Sequence, residues 1–184
     1  LLEADANAGK AIEQYKVALR GDPNNKDARE ALKRLYTQTE AWNPLVDLLR
    51  GDLERTPAED GEARLVVLRE IAEIYRHHLK SDTALMAVLT QIVALDDRDL
   101  DAVRDLVRVY EGLARWRDLL TYQQKLANLL QGKAEKADLL RAVARRWLDQ
   151  FSNVQNAVDA YESLLETDPR DEEARAKLRE LYTK

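Results

Sequence analysis

Cysteine is absent from the 184 residues. Without a thiol there can be no disulfide, thiolate metal site or cysteine nucleophile. Glycine and proline are scarce, at 6 and 4 residues, too few for the many tight turns of a sheet protein. No apolar run approaches the roughly 20 residues that span a bilayer, and no signal peptide is visible. Catalytic signatures are missing too: there is no HExxH, no glycine-rich phosphate loop and no nucleophile elbow. His77 and His78 are adjacent, about 100° apart on a helix, so they cannot share a metal by i, i+4 spacing. The expectation is a protein that is not an enzyme and needs no cofactor. The lack of cysteine fits a reduced cytoplasm without fixing the compartment.

What is present is helix-forming material. Apolar residues make up 45% of the chain and charged residues 34%, the balance of a globular protein rather than a disordered one. Ala, Leu, Glu, Lys and Arg dominate. The net charge of −5 argues against nucleic acid as a partner.

One stretch is spelled three times. Arg20–Tyr36 reads RGDPNNKDAREALKRLY, Ala94–Tyr110 reads ALDDRDLDAVRDLVRVY, and Glu166–Tyr182 reads ETDPRDEEARAKLRELY. Asp22, Asp96 and Asp168 coincide, as do Leu32, Leu106 and Leu178. Asn25, Asp99 and Asp171 stand where a helix should start, each a favoured N-cap residue. The rings Tyr36, Tyr75, Tyr110, Trp147 and Tyr182 divide the chain into periods of roughly 35–39 residues, the mark of stacked helical hairpins. Ten helices are predicted, over 6–20, 26–38, 41–55, 60–79, 82–95, 99–113, 115–130, 134–150, 153–167 and 171–183. Two hairpin types alternate. Trp42 and Trp116 begin the hairpin partner after a repeat tyrosine, while TPAEDGEA and QGKAEKA are longer linkers. All three tryptophans, and Tyr15, Tyr36, Tyr75, Tyr110, Tyr161 and Tyr182, are expected to face inward.

Ala11, Tyr15, Ala18 and Pro23, then Leu32 and Tyr36, resemble the tetratricopeptide repeat pattern. Ala157, Tyr161, Leu164 and Pro169, then Leu178 and Tyr182, resemble it again. The likeness covers essentially the whole chain, with departures at Lys33, Val107 and Arg179, where the family carries a small residue. It implies an all-α solenoid, a right-handed superhelix of about five hairpins, in which the first helix of each hairpin lines a concave surface. The expected arrangement is a single domain over residues 1–184, an excerpt of a longer array, since Leu1-Leu2 match the phase of Tyr75 and Leu178, Leu181 and Tyr182 lack a covering helix.

Positions six and two residues before each ring would face that concave surface. They carry Arg69, Arg104 and Arg141, with Arg34, Arg108 and Arg145 beside them and Arg76 extending the row. A planar guanidinium fork suits a carboxylate, so these seven arginines are the candidate partner-binding residues, and an acidic protein or peptide is the candidate partner. The competing reading has Glu70, Glu73, Asp101 and Asp105 neutralising them along solvated helices. The expected function is a protein-interaction scaffold. The alternatives are self-association through the terminal repeats, or a docking array belonging to a larger enzyme.

Overall fold

The computed structural model describes the backbone of residues 2–183 and the side chains of residues 7–183, so the equivalence drawn for Leu1-Leu2 lies outside the described residues. The described chain is all-α. Ten α-helices follow one another as α1 Leu2–Gly21, α2 Lys26–Gln38, α3 Trp42–Arg55, α4 Gly61–Ile74, α5 Asp82–Leu95, α6 Leu100–Gly112, α7 Trp116–Leu129, α8 Lys133–Asp149, α9 Val154–Thr167 and α10 Glu172–Tyr182. A π-helical turn, Tyr75–Leu79, extends α4. The short connections allow only antiparallel neighbours, and consecutive helices pack as pairs. The chain forms two compact units, Leu1–Val88 and Leu89–Lys184.

The thrice-repeated stretch forms the same joint each time. The side chain of Asp22 accepts from the N–H of Asn24, that of Asp96 from Arg98, and that of Asp168 from Arg170. Three residues further on, Asn25, Asp99 and Asp171 cap the next helix, accepting from the N–H groups of Ala28, Ala102 and Ala174 at 2.8–2.9 Å. Two short polar side chains thus satisfy the backbone donors that a bare turn and helix start would leave open.

The turns after α2, the π-helical turn, α6 and α8 also share one device, a non-glycine residue in the left-handed region. These are Glu40, Lys80, Ala114 and Ser152, with φ of 52°, 49°, 53° and 49°. Each turn is closed by an N–H that returns to the carbonyl of a repeat ring. Ala41 and Arg115 donate to Tyr36 and Tyr110 at 2.8 and 2.9 Å, five residues back. Ser81 and Asn153 donate to Tyr75 and Trp147 at 3.3 and 2.9 Å, six residues back. The first pair matches a Schellman closure; the second contains one extra residue. That residue is the physical difference between the two alternating hairpin types.

The core follows the heptad-like stripes. In the first unit Leu32, Leu49, Leu68 and Ile71 are fully buried. In the second, Leu140, Val143, Ala144 and Trp147 of α8 join Ala157, Tyr161 and Leu164 of α9 and Ala174 and Leu178 of α10 in one cluster.

Three rings depart from the inward expectation. Trp116 is 49% exposed, Tyr15 37% and Tyr182 63%. Trp42 is half-buried because its ring stacks on His78 at 3.5 Å and 13°. In the repeat register, Gln150 stands in the second unit where His78 stands in the first, so Trp116 has no such ring to lie on. Tyr182 sits on the open side of α10, where its hydroxyl meets the Glu162 carboxylate. Tyr15 borders an open groove described below.

Left-handed φ costs a side-chain-bearing residue about 1–2 kcal/mol, partly offset by the larger unfolded-state entropy of glycine. Glu40→Gly and Ala114→Gly should therefore each raise stability by about 0.5–1 kcal/mol in urea unfolding. Asn25→Ala should lower it by about 1 kcal/mol through loss of the cap.

Candidate functional site

The seven candidate arginines lie on α2, α4, the π-helical turn, α6 and α8, the first helices of their hairpins. Their surroundings divide them into two groups.

The first group is engaged within the fold. Arg141 of α8 donates through Nε and Nη2 to one oxygen of Asp171, at 3.2 and 2.7 Å, and through Nη1 to Asp138 at 2.7 Å. Asp171 is buried, and its other oxygen caps α10 through Ala174. A single carboxylate therefore ties the start of α10 to the middle of α8. Arg145, one turn along α8, grips both oxygens of Glu173, with Nε at 2.6 Å. In the first unit Arg76 pairs with Glu73 one turn back. Arg69 is exposed on α4. Cross-helix ion pairs in that unit involve cations outside the candidate set. Lys33 of α2 reaches Glu70 of α4 at 2.7 Å, and Arg29 of α2 pairs with Asp52 of α3. Lys33 occupies a position where the family pattern has a small residue, and the space goes to this ion pair.

The second group points outward. Arg104 is 48% exposed and reaches Asp101 only at 4.0 Å. Arg108 is 76% exposed, with Asp105 of its own helix at 3.3 Å. Arg34 is exposed on α2, where it helps line a groove with Tyr15. An exposed i, i+3 pair such as Arg104–Asp101 contributes little. Sequence spacing placed six of these arginines at two recurring positions, with Arg76 extending the row; it could not tell which would meet a carboxylate from the next hairpin.

The two carboxylates gripped by α8 titrate accordingly. Burial pushes the Asp171 carboxyl up, but the Ala174 N–H and the Arg141 guanidinium outweigh it, leaving the group below its ordinary value. Hydrogen bonding to Arg145 holds Glu173 below its ordinary value. Among the described residues no group of His, Asp or Glu is arranged to hold a metal ion. No helix among them is long and apolar enough to cross a membrane. His77 lies 3.1 Å from Glu73 and His78 against Trp42, which gives both histidines local partners.

A carboxyl whose folded pKa is depressed contributes stability that is complete above its unfolded value, about 4, and is lost as pH falls through the folded value. Asp171 and Glu173 should therefore make the second unit melt progressively earlier below about pH 4. Asp171→Asn keeps a good cap but loses the ionic grip of Arg141. Circular-dichroism melts should show it less stable at pH 7 by about 1–2 kcal/mol, with a shallower acid slope.

No family model matches this sequence, and no curated protein matches it. Solved structures do. MamA is 18% identical, over 91% of this chain and 92% of its own, with a TM-score of 0.44. YrrB, called a TPR protein with an unusual peptide-binding site, is 15% identical over 96% of this chain and 86% of its own, with a TM-score of 0.47. The pilF protein of Pseudomonas aeruginosa is 14% identical over 98% of this chain and 81% of its own, with a TM-score of 0.45. The recurring turns, caps and alternating hairpins make this chain an all-α protein of repeated helical hairpins.

Proposed function

We propose that the chain is a protein-interaction scaffold that captures an acidic peptide segment on the exposed faces of its first helices, with Arg104 and Arg108 of α6 as the principal contacts. The observation that carries this reading is the exposure of these two arginines, whose ion pairs are to carboxylates one turn back on the same helix. Residues four apart on a helix have Cβ atoms about 5–6 Å apart. Alternate side chains of an extended segment recur every ~6.6 Å. Two guanidinium forks on α6 can therefore meet two successive same-face carboxylates of one strand. Arg34 offers a similar exposed fork on α2. Arg141 and Arg145 support the site by fixing α8 to α10 rather than by holding the ligand. A helical scaffold of this kind undergoes little rearrangement on binding, and contacts at exposed charges are salt-sensitive.

A second reading, self-association through α10, is favoured by the exposed ring of Tyr182. Sedimentation should then show assembly that Tyr182→Ser abolishes.

For the scaffold reading, the probe is a peptide with glutamates at alternate positions, titrated by calorimetry. The charge-reversed pair Arg104→Glu and Arg108→Glu should lose at least about tenfold in affinity, the factor carried by 1.4 kcal/mol, with an unchanged helical melt. Raising the salt should weaken binding to the original chain. Affinity unaltered by charge reversal would rule out α6 as the site.

A further inference from the structure

The first unit holds an open pocket of about 510 Å³ between α1, α2 and α3, floored by Leu19, Tyr36 and Leu48. Three charged side chains stand on its rim: Lys16 and Arg20 on α1, and Asp47 on α3. All three walls are in place. In the repeat register, the helix that precedes a second helix lies along the phase of Ala157 and Tyr161, as α8 does. Lys16, Leu19 and Arg20 stand further round α1, toward α3.

The chain contains a filled version of the same three-walled space. A shift of 74 residues takes α1–α3 onto α5–α7, pairing Leu19 with Val93, Tyr36 with Tyr110 and Leu48 with Tyr122. In the second unit the Tyr122 ring lies 5.2 Å from that of Tyr110, tilted by 41°, and Val93 is buried. In the first unit a leucine takes the place of that ring. Leu48 is too short to fill the space, and Leu19 is only half-buried. The charges change as well. Lys16, Arg20 and Asp47 stand where the second unit has Thr90, Ala94 and Thr121, and Pro44 stands where it has Asp118. These positions are therefore net positive in the first unit and net negative in the second. Lys16 is paired with Glu13 at 2.8 Å. The Arg20 guanidinium makes no hydrogen bond or ion pair among the described residues, with Glu13 acting on it only at longer range.

We propose that this pocket takes a tyrosine side chain of another polypeptide, with an acidic residue beside that tyrosine meeting Arg20. The ring occupies the place that Tyr122 fills in the second unit, against Tyr36. Asp47 on the opposite rim repels the carboxylate and turns it toward α1. The volume is that of pockets holding a whole small ligand, which leaves room for the residues flanking the tyrosine. Burial of the ring supplies affinity, and the carboxylate–guanidinium pair supplies direction. This site is separate from Arg104 and Arg108, and its use does not depend on the acidic-peptide reading.

The probe is the capped peptide EEYEE, titrated against the full chain with amide shifts followed by NMR, beside EEAEE as the ringless control. EEYEE should perturb α1, α2 and α3, and EEAEE should bind there about tenfold more weakly, the scale of one buried ring. Leu48→Tyr, which restores the ring that the second unit carries, should abolish the α1–α3 perturbation with an unchanged thermal melt and unaltered shifts on α6. Arg20→Glu should weaken EEYEE about fivefold, the scale of one exposed ion pair, and KKYKK should bind that variant better than the original chain. The inference is overturned if EEAEE matches EEYEE on α1–α3, if Leu48→Tyr leaves those shifts in place, or if Arg20→Glu changes nothing. Shifts confined to α6 would report the acidic-peptide site alone and overturn this one. N-acetyltyrosinamide binding as tightly as the peptide would make the pocket a site for a small phenol, which equally overturns the inference.

Discussion

A helical hairpin of this chain has more apolar surface than it can hide by itself, and that constraint organises everything else. Each helix carries a stripe that only the adjoining hairpin can cover. Hence the sequence repeats, and fully buried residues occur on both helices of a hairpin, as Leu140 on α8 and Leu164 on α9 do. The polar devices at the joints serve this burial. Asp22, Asp96 and Asp168 tighten the turn, and Asn25, Asp99 and Asp171 start the next helix. Without them, close packing would strand backbone donors away from water.

Charge is laid over this apolar frame in two ways. Where hairpins meet, ion pairs bridge neighbouring elements, as Lys33–Glu70 and Arg141–Asp171 do. There the partners are partly shielded from water, and at Asp171 the carboxylate also caps a helix, so the pair helps fix how adjacent helices sit. Elsewhere the charges remain on one helix and face water, as at Arg104 and Arg108. Only the second kind is available to a ligand without loosening the fold. Equivalent positions in different hairpins have thus been put to different uses.

The helices and their joints were legible because local rules govern them. N-cap residues, acidic first turns and 3.6-residue periodicity act within a few residues, and the observed bounds fall within a few residues of those expected. For the second and fifth helices, at 26–38 and 82–95, they coincide. The alternation of hairpin types was legible in the spacing of the rings. Its cause was not: a left-handed residue one place later in the turn, at Lys80 and Ser152 against Glu40 and Ala114, leaves no residue-type signature. Trp116 was misplaced for a related reason. It shares its register with Trp42, but the ring that shelters Trp42 comes from His78, 36 residues away.

The sequence by itself determined where helices begin and end, how the joints are closed and that the units repeat, since short-range hydrogen bonds and periodicity decide those features. Tertiary structure decided which rings are covered and which arginines are already engaged. Burial and pairing depend on what the neighbouring helix brings into contact: Tyr15 and Tyr161 share a phase, yet α8 covers one and an open groove borders the other.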